Sequence, residues 1–246
     1  FCLPCQRPIQ TREMFIDTMS SQELLQEYLA DIKEIRQKTD AFDKSDYLKN
    51  YLWKRRKLSR IVIPRQMSTS RNNKYLGVYI YEQVKSGRGK YWKWDSYHFG
   101  MMNTAKGLMM IAFYEDNGQA VKYTPHFFQR YKERLMKVCD WKTRNQLNAA
   151  DTQEKIITVY TQRNLGTAWM HTKSVYKNKL HIFAPVPDGV TLLQWDSKHK
   201  TMQANTFITC DMLDEKQNSM IRQLQEYSNL SKEEREKIDN PLFVAD

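Results

Sequence analysis

His126, Arg130 and Arg134 recur at four-residue intervals in "KYTPHFFQRYKERLMKV", residues 122–138, with Glu133 between the two arginines. On a helix, turning about 100° per residue, that spacing puts all three on one face with Glu133 and Lys137. Phe127, Phe128, Tyr131, Leu135 and Val138 fall on the opposite face. An imidazole in the first turn of a helix sits at the positive end of the dipole, where the neutral ring is favoured and can take a proton. Arginines one and two turns further on can grip a phosphate bidentately. Base plus guanidinium is what cleavage of RNA through the ribose 2′-hydroxyl requires. The same residues also compose an ordinary solvated face, because Glu133 is spaced to pair with Arg130 and Lys137. The residues alone leave both readings open.

Two further groups bear on chemistry. In "YWKWDSYHF", residues 91–99, Tyr91, Lys93, Asp95, Tyr97 and Phe99 alternate with Trp92, Trp94, Ser96 and His98. As a strand this shows aromatics on both faces, either a core strand or a base-stacking platform flanked by lysine. His98 is the candidate second histidine of an acid–base pair with His126, and Tyr97 a further proton donor. In "WKRRKLSR", residues 53–60, Lys54, Arg55, Arg56, Lys57 and Arg60 exceed what a helix C-terminus needs and make a candidate nucleic-acid patch with Trp92 and Trp94. His171, His181 and His199 are scattered and lack ligand spacing. Cys2 and Cys5 form a lone CxxC with no second pair, and Cys139 and Cys210 are single thiols. No phosphate-binding glycine loop, GxSxG or HExxH occurs, so no metal or cofactor is expected.

Charge points the same way. The net +11 is distributed as +6 over residues 1–74, +6 over 75–145, +2 over 146–213 and −3 over 214–246. The basic excess therefore lies where it would attract a polyanion, RNA first, although solubility alone accounts for it equally well. No apolar run is long enough for a membrane span, and the expected compartment is the cytoplasm.

The elements that must position these residues read as α+β. Ser20 with Glu23 opens a helix over 20–37 with Leu24, Leu25, Tyr28, Leu29, Ile32 and Ile35 inward. A second helix is expected from Ser45 to Arg60, with Tyr47, Leu48, Tyr51, Leu52 and Leu58 inward. The polar segment 65–74 reads as a loop between a basic helical arm (1–62) and an α+β domain (63–246). Strands are expected at 75–84, 91–99 and 106–115, then at 178–186, 189–196 and 202–212, in a largely antiparallel sheet. Thr124-Pro125 starts the helix of the histidine and arginines, and Asp151 with Glu154 starts another. Asp214 with Gln217, and Ser231 with Glu234, start two C-terminal helices (214–246) that close the domain.

"TPHFFQRYKER", followed by a helix and by strands ending in "NTFITCDML", resembles the barnase/EndoU/colicin/RelE-like superfamily of nucleases and toxins, especially its phage and mobile-element members. The resemblance covers about residues 122–213. Such domains begin with a helix carrying His-x-x-x-Arg-x-x-x-Arg and finish with a strand containing a Thr. The matching positions are His126, Arg130, Arg134 and Thr206. The strands at 75–115 precede the helix, and no Gly-Ile pair follows Arg134, both departures from the pattern. The resemblance implies metal-independent RNA cleavage. The alternative is a non-catalytic module that binds nucleic acid or a protein partner.

Overall fold

The computed structural model of the chain describes residues 15–87, 89–115, 118–165, 172–176 and 179–229. Two helices come first, α1 (Ser21–Asp43) and α2 (Asp46–Lys54). A meander follows: β1 (Arg60–Ser68), β2 (Lys74–Ser86), β3 (Gly89–Thr104), β4 (Gly107–Tyr114) and β5 (Gln119–Tyr123). Three helices, α3 (Pro125–Val138), α4 (Trp141–Ala149) and α5 (Gln153–Asn164), lead to β6 (Thr172–Tyr176), β7 (Lys179–Val186), β8 (Gly189–Asp196) and β9 (Thr201–Ile208). A 3-10 turn at Cys210–Met212 precedes α6 (Glu215–Asn229). All nine strands form one sheet in the order β1-β2-β3-β4-β5-β9-β8-β7-β6, antiparallel throughout except where β5 meets β9. The fold is α+β.

Local chemistry starts the helices. Ser20 and Glu23 make a reciprocal capping box at α1, and Asp214 and Gln217 exchange the equivalent bonds at α6. Thr124 caps α3, with Pro125 at its first position. The one face of α3 that carries Phe127, Phe128, Tyr131 and Leu135 is buried, each side chain contributing about 1.5–3 kcal/mol.

Alternate strand residues serve two cores. On one face α3 and α5 cover Leu76, Val78, Phe99, Met101, Met110 and Tyr123 from the meander and Ala184, Leu193, Ala204 and Phe207 from the far strands. On the other, α1 covers Tyr75, Met102, Met109 and Ile111, while Phe42 and Leu48 meet Tyr79 and Tyr81. Ile221 of α6 packs on Phe183, Val190, Leu192 and Ile208. Asp188, in the turn between β7 and β8, accepts from Tyr131 Oη at 2.7 Å and from both Nε and Nη2 of Arg163, tying α3 and α5 to that turn.

Several expectations are corrected. The first part of the expected boundary loop is strand, and only 69–73 is turn: β1 runs through residues 60–68, straddles the 62/63 division and pairs along its length with β2. Pro64 fits there because β1 is the sheet edge. The N-terminal helices pack on the same sheet and are no separate arm. The second helix stops at Lys54, and of its expected inward residues only Leu48 is fully buried; Tyr47 is 64% exposed. Strands β5 and β6 and helix α4 join the expected elements. The second expected C-terminal helix, Cys2, Cys5 and His171 lie outside the described residues. Among the described residues no helix is long and apolar enough to cross a membrane.

Candidate active cleft and nucleic-acid interface

The N-terminal end of α3 opens into a cleft of about 810 Å³. Four elements meet there: the first turns of α3, the turn between β3 and β4, the start of α5, and the turn between β8 and β9. Gly107 makes this convergence possible. Its φ is +123°, and a Cβ there would lie 2.6 Å from Gln153 Oε1, which accepts from Leu108 N at 2.7 Å.

His126 lines the cleft, and Arg130 Nε donates to its Nε2 at 3.3 Å. In that contact Nε2 is the acceptor. Arg130 also donates to Glu133 Oε2 at 2.9 Å, and Gln129 to Glu133 Oε1 at 2.8 Å. These bonds hold the Glu133 carboxyl below its ordinary range, the Gln129 bond first. The helix face is thus a connected polar row, part solvated and part turned to the cleft.

Across the cleft stands His199, a residue that spacing did not connect to any partner. Its Nδ1 lies 2.7 Å from Asp196 Oδ2, and Gln203 Nε2 donates to the same oxygen at 2.7 Å. Asp196 Oδ1 accepts from the backbone N of Lys198 at 3.0 Å, which fixes the turn. The Asp196 carboxyl is held below the usual range, the His199 hydrogen bond being the largest cause. With Nδ1 engaged, Nε2 is left to exchange a proton with a bound molecule. Lys106 and Lys132 supply positive charge to the cleft wall, Lys132 with one bond spent on Ala150 O at 2.8 Å.

The other expected site residues go elsewhere. Arg134 Nη1 donates to Phe207 O and anchors α3 to β9. Thr206 pairs with Leu192, on the sheet face that carries α6. A bulge causes this: Leu193 pairs with Ala204 but Leu192 with Thr206, so Asn205 is extra and the alternation flips. His98 points to the α1 side, where its Nε2 lies 2.9 Å from Thr39 Oγ1. Burial, with Arg36 second, pushes its imidazole down to about 4. His98 and Tyr97 line a separate cavity of about 320 Å³, where β3 and β4 part beyond Phe99 and Ala112. His98 and His126 are therefore not a pair.

Of the expected nucleic-acid residues, Trp92 and Trp94 are half-buried against the α2 core, Trp94 stacked on Tyr81, so they form no open platform. Arg60 lies 3.4 Å from Glu82 and donates to Leu165 O. Lys54, Arg55, Arg56 and Lys57 remain exposed together at the end of α2. Among the described residues no group of three or more His, Cys, Asp or Glu is arranged to hold a metal ion. No protein-family model, curated protein or solved structure matches the chain.

Proposed function

We propose that the protein is an endoribonuclease that needs no metal and acts through the ribose 2′-hydroxyl in the cleft at the start of α3. The observation that carries this reading is that one cleft, with Lys106 and Lys132 beside Asp17 and Glu133 on its wall, is lined by both His126 and the Asp196-held His199. His126, with a lone pair on Nε2, takes the proton of the 2′-hydroxyl once the substrate displaces the long bond from Arg130. The 2′-oxygen bonds to phosphorus and the P–O5′ bond breaks. His199, oriented by the Asp196 carboxylate, protonates the departing 5′-oxygen. Lys106 and Lys132 offset the charge on the non-bridging oxygens. The products are a 2′,3′-cyclic phosphate and a 5′-hydroxyl end.

This arrangement keeps His126 of the superfamily pattern and turns to residues of the β8–β9 turn and to Lys106 and Lys132 in place of Arg130, Arg134 and Thr206. The test is incubation of labelled RNA with purified protein in EDTA, beside His126→Ala and His199→Ala. Each variant should lose about 10²–10⁴-fold in rate, and DNA should stay intact. Equal cutting by wild type and both variants, or no cutting of RNA, overturns the reading.

A further inference from the structure

The outer surface of α2 is built unlike a merely solvated helix. Tyr47, Tyr51 and Arg55 follow one another at four-residue steps: the two rings lie 6.1 Å apart, tilted by 32°, and the Arg55 guanidinium sits 3.7 Å over Tyr51. Beside them Arg56 lies 4.4 Å over the Trp53 ring. Tyr47 and Trp53 face solvent, being 64% and 67% exposed. Large aromatic rings left this open forgo the burial that normally places them.

The charge around them is predominantly basic. Residues 47–81 hold nine basic side chains and no acidic one. Lys49 is paired with Asp46 and Arg60 with Glu82, but Lys54, Arg55, Arg56 and Lys57 form no ion pair with a described residue. An aromatic face next to unpaired cations matches a chain of alternating bases and phosphates. A duplex hides its base faces, and an acidic peptide has no use for the rings.

We infer that residues 47–57 are a docking site for single-stranded RNA, bases stacking on Tyr47 and Trp53 while Lys54, Arg55, Arg56 and Lys57 meet phosphates. That the strand is RNA rests on the function proposed above. The site is remote from the cleft: Trp94 touches the α2 core and Thr104 lines the cleft, ten residues apart on β3, about 33 Å. It therefore holds substrate rather than cutting it.

The test is fluorescence anisotropy of a labelled 20-nucleotide 2′-O-methyl RNA, which lacks the nucleophile and is not consumed, single-stranded and as a duplex. Wild type should prefer the single strand, with log affinity falling against log salt at a slope of about −3 for four phosphates. Replacing Arg55, Arg56 and Lys57 together by Ala should flatten that slope by about 2 units. Trp53→Ala should weaken binding about tenfold and leave the slope alone, because stacking is not a counter-ion effect. Variants that bind like wild type, or equal affinity for duplex, overturn the proposal. Binding lost in these variants without any RNA cleavage by wild type sinks the nuclease reading and keeps the docking site. Cleavage with unaltered binding in the variants does the reverse.

Discussion

Tyr75 Oη donates to Asp31 Oδ2 at 2.8 Å, joining the middle of α1 to the start of β2 through a buried carboxylate. The same oxygen accepts from Thr69 Oγ1 at 3.1 Å and Asn73 Nδ2 at 2.7 Å, so both ends of the β1–β2 turn close on it. Asp31 Oδ1 has Arg71 Nε at 3.6 Å, near enough for charge pairing but too far for a hydrogen bond.

This clamp makes segment 65–74 part of the core assembly. Limited proteolysis should leave it intact. Asp31→Ala orphans three donors and should cost about 3–5 kcal/mol in urea unfolding, while making the β1–β2 turn the first cut. Rapid cutting at 65–74 in the wild type, or a neutral Asp31→Ala, would contradict the clamp.

His98 predicts an acid sensitivity unrelated to catalysis. Its folded imidazole titrates at about 4, against 6.5 for an unburied ring. Between those values the unfolded chain binds a proton that the folded chain does not, so stability falls as pH drops. The contribution is whole above about pH 6.5 and fully lost below about pH 4, a loss of about 3 kcal/mol. His98→Gln retains a partner for Thr39 and should lose much less between pH 7 and pH 4.5. Identical losses in the two proteins would discount the mechanism.

What could be read from the residues follows from how local each signal is. The helix Pro125–Val138 was legible because Thr124, Pro125 and a strong apolar period all act within a few residues. Strand β1 was not, since its apolar run Ile61–Ile63 is short and Pro64 follows it before polar residues; its order comes from pairing with β2. The cleft divides the same way. His126 stands out on its helix, whereas His199 reaches it only because β9 runs parallel beside β5 and brings the β8–β9 turn to the start of α3. Thr206 was named by the resemblance's strand pattern alone, and one bulge residue, Asn205, sets it on the sheet face that carries α6. Tyr47 and Tyr51 show helical spacing whether they face a core or solvent, so the exposure of Tyr47 was not legible in it.

Asp196 offers the most selective probe of the cleft. Its Oδ2 binds His199 Nδ1 and Gln203 Nε2, and its Oδ1 carries the backbone bond that shapes the turn. Asn at this position can keep its carbonyl on the backbone N–H, but then presents an amide donor instead of a carboxylate to the imidazole. The turn should survive, with unfolding shifted by less than about 1 kcal/mol. If His199 is the acid, its imidazolium loses its counter-charge, and RNA cleavage by Asp196→Asn should fall about 10²-fold at neutral pH. A purely structural Asp196 would lower activity only in step with the amount of folded protein. Undiminished RNA cleavage by a folded Asp196→Asn protein removes the Asp196–His199 pair from the reaction.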